Sequence, residues 1–264
     1  MKVVKVDVPV MADLHARGEH PEYLFWVGCA GAFDDRYQKV AQAFAKILTF
    51  LDISYAVLGK EESCTGDPAR RAGNEMLYQM QALQNIALFE SYGIRKIITI
   101  CPHCYNIFKN EYPDLGAGFE TINYLQFLDQ CFLTGKIKPG MLTNSNVCIT
   151  YHDPCYLGRA NDIYFEPRSI LKNLTTNLVE MERNKSFAFC CGGGGTQMFK
   201  EAEKGNKEVY TERTEEALRT DAKIIATACP FCMTMLTDGI KNKNREEDIK
   251  NFDIAELIVQ SLNL

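Results

Sequence analysis

Five cysteines carry the chemistry open to this sequence. Cys190 and Cys191 are adjacent and run straight into Gly192, Gly193, Gly194 and Gly195. Cys155 lies 36 residues before Cys191, and a Cys-x-x-Cys pair, Cys229 and Cys232, begins 38 residues after it. Structural zinc takes four ligands and a disulfide takes two thiols. Five converging thiols exceed both needs and suit an iron–sulfur cluster, whose iron is held by thiolates. The glycines fit that reading. A chain without Cβ atoms adopts positive φ and comes close to an inorganic core, and successive N–H groups there point at negatively charged sulfur. Three other readings stay open. The thiols are unrelated core residues; or four of them hold zinc and one stands idle; or Cys229 and Cys232 form a thioredoxin-like redox pair, which gives Cys155, Cys190 and Cys191 no use. The glycine run is no phosphate loop, because Thr196 and Gln197 follow it where the Walker pattern needs Lys and Ser/Thr.

The constellation has an echo. Cys29 and Cys155 are 126 apart, Cys64 and Cys191 are 127 apart, and Cys101 and Cys104 lie 128 before Cys229 and Cys232. Three anchors holding one offset within two residues describe a duplicated lobe, with a period too long for a solenoid. We expect an N-terminal arm over residues 1–22, a first lobe over 23–140 with a degenerate motif, and a second lobe over 141–264 with the complete one. The seam is expected near Gly135–Ser145. Ser63 stands where the second lobe has Cys190, so the first lobe offers four thiols: Cys29, Cys64, Cys101 and Cys104. Four suit a [4Fe-4S] cluster or tetrahedral zinc, or they are the remains of a site that binds nothing.

The elements that must position these thiols alternate between strand and helix. In the first half, an apolar run from Tyr23 to Cys29 reads as a buried strand. Asp34 and Asp35 open a helix with Tyr37, Val40, Phe44, Ile47 and Leu51 on one face. Ser54–Leu58 is a second strand, a long helix runs from Pro68 to about Phe89 with Gly93 stopping it, and Ile94–Ile100 is a strand leading into Cys101. A helix over Thr121–Leu133 closes the lobe. The second half repeats this: a strand at Val147–Tyr151 leads to Cys155, then come a helix at Pro167–Leu174, a strand at Leu178–Met181, a charged helix at Ala202–Arg219, a strand at Ile224–Ala228 leading to Cys229, and a helix at Asp253–Leu262. The predicted fold is α/β: two pseudo-symmetric, Rossmann-like lobes, each a small, mainly parallel sheet flanked by helices. Ligands gather at the carboxyl ends of such strands, where Cys29, Cys101, Cys155 and Cys229 all fall. Residues 1–22 fit neither lobe; Val4–Met11 alternates weakly and Leu14–Pro21 is polar.

Other residues near the motifs have plain readings beside chemical ones. His152 is a strand-end ring bonded to backbone, or a proton donor or partner to a cluster thiolate. Asp153 flanks the same site. Arg159 either lies in solvent or lends positive charge that lowers thiol pKa. Arg70 and Arg71 face the same choice. His103 reads as an exposed ring or an N–H donor to sulfur. Cys131 and Cys148 read as buried core thiols.

Composition narrows the class. The chain has 264 residues, 46% of them hydrophobic and 24% charged, with net charge −5 and 11 cysteines. That is the balance of a globular protein with a core large enough to need no staples. There is no basic run for nucleic acid, no signal peptide and no apolar stretch near the ~20 residues of a membrane span. An odd cysteine count without an export signal points to a cytoplasmic protein with metal or redox ligands.

The motifs also resemble a known family. Trp26-Val27-Gly28-Cys29, Glu62-Ser63-Cys64-Thr65-Gly66, His152-Asp153-Pro154-Cys155 and Cys190-Cys191-Gly192-Gly193 are similar to the cysteine-rich CCG domain. That domain occurs in the B-type subunit of heterodisulfide reductase, in the C-terminal part of the D-type relatives, and in iron–sulfur subunits of lactate, glycolate and glycerol-3-phosphate oxidation systems. The resemblance runs from about Tyr23 to Leu262. It implies a noncubane [4Fe-4S] cluster in the second lobe, held by Cys155, Cys190, Cys191, Cys229 and Cys232 with Gly192 and Gly193 beside it. It implies thiol/disulfide redox or terminal electron transfer, with His152 and Arg159 as candidate catalytic groups and a small thiol or disulfide as substrate. Ser63 puts a second such cluster in doubt. The D-type relatives carry a ferredoxin module whose cysteine run does not occur here, so the resemblance implies a separate ferredoxin-like iron–sulfur subunit or a flavoprotein as electron partner, with any membrane association through partners. The rival functions are a non-catalytic electron-transfer subunit of a lactate, glycolate or acyl-CoA dehydrogenase system, and a zinc-bound structural scaffold.

Overall fold

The structure is a computed structural model and describes residues 7–138, 146–201 and 204–264. These divide into two compact units, with the division between Phe127 and Leu128. The expected seam falls largely on residues 139–145, outside the described residues, as does the start of the weakly alternating Val4–Met11 stretch.

The first unit opens with helix α1 (Met11–Ala16), followed by strand β1 (Tyr23–Trp26) and helices α2 (Gly28–Phe33) and α3 (Asp35–Phe50). Asp34 caps α3 by accepting from the Tyr37 N–H at 2.7 Å, which satisfies one of the helix's free amides. Strand β2 (Tyr55–Ala56) follows, then helices α4 (Asp67–Arg71) and α5 (Glu75–Tyr92), strand β3 (Lys96–Thr99), helix α6 (Pro102–Asn110), strand β4 (Glu120–Asn123) and helix α7 (Tyr124–Leu133), within which the division between the units falls. The four strands are parallel in the order β2-β1-β3-β4.

The second unit repeats the order with strand β5 (Ile149–Tyr151), helices α8 (Gly158–Asn161) and α9 (Phe165–Leu174), strand β6 (Leu178–Val179), helix α10 (Val209–Leu218), strand β7 (Ile224–Thr227), helix α11 (Pro230–Asn242), strand β8 (Lys250–Asp253) and helix α12 (Ile254–Leu262). Its sheet runs β6-β5-β7-β8, again parallel. In both sheets the chain goes first to one side of the opening strand and then to the other. The strand order therefore reverses between β1 and β3 and between β5 and β7. In open parallel sheets this switch point leaves a crevice at the carboxyl ends.

Several expectations need correction. The helix expected from Pro68 to Phe89 is two helices. Gly73, at φ +85°, breaks the run, and Asn74 caps α5 by accepting from Leu77 N–H at 3.1 Å. The closing segments of both lobes each begin with a strand, β4 or β8, at the sheet edge. These edge strands are half-exposed and polar and lack the apolar run that marks a buried strand. The charged helix expected from Ala202 begins at Val209; residues 202–203 lie outside the described residues. Residues 9–16 do not stand apart from the first unit. Pro9 and Met11 bond across to Val57 (2.9 and 2.8 Å), and Met11 and Leu14 are buried in the core formed by Leu24, Trp26, Ile97 and Phe89.

Candidate functional site

The switch point of the second sheet brings the thiols together. Cys155 follows β5, and Cys229 follows β7 as the residue capping α11. Pro230 occupies the first turn of α11, where its missing N–H costs nothing. Cys232 lies one turn in, on a helix end whose free N–H groups and dipole favour negative charge. Cys190 and Cys191 arrive on the loop between β6 and α10. The five sulfurs form a continuous row: Cys155 bonds Cys190, Cys190 bonds Cys191, Cys191 lies 3.2 Å from Cys232, and Cys232 bonds Cys229. All five are free thiols, and 3.2 Å is well beyond the roughly 2.05 Å of a disulfide.

Charge along this row is uneven. Cys190 is the acceptor. Hydrogen bonds from Cys155 and then Cys191 hold its thiol down at about 2, with the Gly192 N–H adding a bond at 3.3 Å. Cys155 is pushed up as donor to Cys190, and Cys191 likewise. Cys232 is raised by donating to Cys191 and Cys229 and by burial. Cys191, Cys229 and Cys232 are buried with Phe231 against Met198 and Met235, so charge that collects here is poorly solvated and must be met by bonds or a cation.

His152 closes the site. It is buried (1% exposed), with Nε2 3.2 Å from Cys232 Sγ. Among the described residues, His152, Cys191 and Cys232 offer three ligand atoms within 4.8 Å of one another. Its Nδ1 accepts from Arg213 Nε at 2.9 Å. Burial, and then the Arg213 charge, push its pKa well down. Asp153 is occupied structurally: its carboxylate takes both Arg168 Nη atoms at 2.8 and 2.9 Å and the Lys185 N–H at 2.9 Å. Arg159 is exposed and reaches back to the Ala188 carbonyl at 2.6 Å, bracing the loop that carries Cys190.

The glycines also answer to packing. Gly192 has φ +87°, and a Cβ on it would lie 3.0 Å from Val209 Cβ. A Cβ on Gly193 would meet Met235 Cγ at 3.0 Å and Phe231 Cβ at 3.2 Å. They let the loop press on α10 and α11, and the Gly192 N–H is aimed at the Cys190 sulfur.

The first lobe also gathers its four thiols: Cys29 bonds Cys64, Cys104 bonds Cys101, and Cys104 is close enough to feel the charge of Cys29 and Cys64. Cys64 is held at about 6, chiefly by the bond from Cys29 and against its burial. A cavity of about 530 Å³ lies beside Cys29 and Cys64. Ser63 bonds Asn85 at 2.8 Å. Gly28, at φ +78°, would place a Cβ 3.4 Å from Cys104 Sγ and 3.8 Å from Trp26 Nε1. Trp26 Nε1 is buried with no hydrogen-bond partner among the described residues.

Some neighbours differ from expectation. His103 is not exposed; it is buried, with Nδ1 3.1 Å from the Asp67 carboxylate. Arg70 and Arg71 both pair with Glu111, and Arg71 also with Asp67 at 3.0 Å. Cys131 is buried. Cys148 is only half-buried and precedes β5, where its carbonyl accepts from Lys223 N–H at 2.9 Å. Two functional neighbours escaped the sequence reading. Glu62 accepts from Val27 and Gly28 N–H at 3.1 and 2.6 Å, and its burial lifts it to about 7. Arg213 is fully buried (0% exposed); its i, i+3 pairing with Glu216 on one helix face was the available sign.

The fold and the doubled thiol motif define a class. The cysteine-rich domain family, CCG, matches residues 23–109 and 149–237, and the chain belongs to that family. Among curated relatives, it is 44% identical over 257 residues to the probable iron-sulfur-binding oxidoreductase FadF of Bacillus subtilis, covering 97% of this chain and 36% of that protein. It is 43% identical over 251 residues to the EtfAB:quinone oxidoreductase of Syntrophomonas wolfei, covering 93% of this chain and 35% of that protein. It is 33% identical over 256 residues to the D-type subunit of the dihydromethanophenazine:CoB--CoM heterodisulfide reductase of Methanosarcina barkeri, covering 92% of this chain and 59% of that protein. The chain thus spans little more than a third of the first two and under two thirds of the third.

Proposed function

We propose that this chain is an iron–sulfur part of an oxidoreductase complex of the heterodisulfide-reductase type. Its centre is a noncubane [4Fe-4S] cluster held by Cys155, Cys190, Cys191, Cys229 and Cys232. The observation that carries this reading is the unbroken row of five sulfurs at the switch point of the second sheet. Zinc leaves one of them without a metal bond. When bound, such a cluster supplies one-electron storage beside a site where a substrate sulfur can be held.

The chain's own residues then have definite tasks. Phe231, Met198 and Met235 keep water from the buried thiolates. The Gly192 N–H and His152 Nε2 meet sulfur charge directly. Arg159 fixes the loop of Cys190 and contributes positive charge. Reduction of a disulfide consumes two electrons and two protons and yields two thiols. In this reading the electrons come from a ferredoxin-like iron–sulfur subunit or a flavoprotein. The four first-lobe thiols hold a [4Fe-4S] cluster or zinc; the partnerless Trp26 N–H beside Cys104 supports an occupant there. The functional lobes are taken as 23–140 and 141–264, with residues 1–22 as an arm whose 9–16 stretch packs into the first unit. No helix among the described residues is long and apolar enough to cross a membrane.

A second reading has its own support. Identity is higher to FadF and to the EtfAB:quinone oxidoreductase than to the heterodisulfide reductase. This favours a subunit that relays electrons for a dehydrogenase without a thiol substrate of its own. One experiment tests both. The chain is purified anaerobically and assayed for iron, acid-labile sulfide and zinc, then titrated with thiols under electron paramagnetic resonance. Iron and sulfide with a thiol-perturbed signal support the disulfide reading, and an iron signal indifferent to thiols supports electron relay. Zinc alone, in a colourless protein, overturns both.

A further inference from the structure

We infer that Arg213 positions His152 as an obligatory N–H donor to Cys232 and thereby bars His152 from ligating metal. The inference rests on the thiolate site just proposed and deepens it. A guanidinium only donates. Its Nε–H is aimed at His152 Nδ1 at 2.9 Å, so Nδ1 must present its lone pair. The single ring proton is then on Nε2, 3.2 Å from Cys232 Sγ. An Nε2 that carries a proton has no lone pair for iron or zinc. The cluster of His152, Cys191 and Cys232, which by distance alone is a three-ligand metal site, is therefore two ligands and a donor.

Arg213 is built for this orientation. It is fully buried. Its Nη1 donates to Glu216 Oε2 at 2.9 Å and to the Arg183 carbonyl at 2.8 Å. Glu216 is in turn held by the Arg183 N–H and by Arg183 Nε at 3.0 Å. The guanidinium cannot turn away without breaking bonds that no water replaces.

The repeat supplies independent support. Trp26 lies 126 residues before His152, the offset of Cys29 from Cys155, and Cys104 lies 128 before Cys232. Tryptophan is a ring donor that cannot ligate a metal. Its buried Nε1 and Cys104 Sγ both border the space a Gly28 side chain would fill. The first lobe thus also carries a ring N–H, and no lone pair, at this position, though Trp26 Nε1 has no hydrogen-bond partner among the described residues. A hydrogen bond to a cluster thiolate stabilises the electron-rich form and raises its reduction potential.

The test uses the whole chain, metal-free and iron-loaded. In the metal-free protein, ¹⁵N NMR of His152 is expected to show Nε2–H and bare Nδ1, with Arg213→Met mixing the tautomers. In the iron-loaded protein, His152→Phe and Arg213→Met are each expected to lower the midpoint potential of the second-lobe centre. The double variant should go no lower than His152→Phe alone, and His152→Gln, which keeps an N–H, should recover part of the shift. An Nδ1–H tautomer in the wild type, an Arg213→Met protein with unchanged tautomer and potential, or additive shifts would overturn the inference. A protein that takes zinc and no iron defeats the cluster reading, while the tautomer measurement still decides the role of Arg213.

Discussion

At the residue scale, each thiol of the row serves its neighbours, so loss of one is felt by the others. Cys191→Ser or Cys232→Ser, at the 3.2 Å contact, is expected to remove most iron and sulfide from the anaerobic protein. Cys131→Ser, in α7, should leave both unchanged. The comparison is read by metal analysis on proteins of equal helicity. Glu216 gives a pH prediction. Burial alone would raise its pKa, but the Arg183 N–H bond and the Arg213 charge hold it below the usual 4.5. A carboxyl lowered in the fold binds fewer protons than it does unfolded. Its contribution to stability is therefore full above pH 4.5 and is lost as pH falls through the lowered value. Glu216→Gln is expected to weaken the fold at neutral pH and to flatten the loss of stability as pH falls below about 5, in urea titrations at descending pH.

At the scale of elements, the second site depends on how closely α10 approaches α11. A Cβ on Gly239 would run into Thr214 Oγ1 and lie 2.9 Å from Thr214 Cβ. Gly239→Ala is thus expected to cost about 1–3 kcal/mol, the range for overpacking a filled contact, seen as a lower urea midpoint at constant slope. Thr214→Ala in the same chain should restore part of it, because the hydroxyl oxygen is the nearest atom. A smaller effect belongs to α12. Asp253 accepts from Ala255 N–H at 2.9 Å while Glu256 accepts from the Asp253 N–H at 2.9 Å. Asp253→Ala should cost about 1 kcal/mol, and because β8 and α12 meet at that residue, hydrogen exchange should rise first there.

At the scale of the molecule, duplication has yielded one scaffold with two thiol arrangements. The second unit brings five sulfurs together, while the first brings four, with a cavity beside Cys29 and Cys64. Cys64→Ser with Cys101→Ser is expected to remove whatever metal the first unit binds and to leave the iron signal of the second intact, as read by metal stoichiometry and electron paramagnetic resonance on one preparation. Loss of both signals together would mean that the two centres assemble as one.

The chemistry and the α/β class were legible from the chain because they reside in local facts. Cysteine spacing, a constant offset and apolar runs before Cys101 and Cys229 survive without coordinates, since a β-branched run ending in a thiol marks both a strand and the sheet end at which the thiol falls. Edge strands β4 and β8 were not legible, because half-exposed polar segments lack the pattern that burial imposes. Nor were the break at Gly73, the tight fit behind Gly192 and Gly193, or the direction in which a ring faces. Which atom of His152 meets Cys232 is decided by an arginine 61 residues away. That choice exists only once α10 is folded against the sheet, where a buried donor must find an acceptor and no water competes for it.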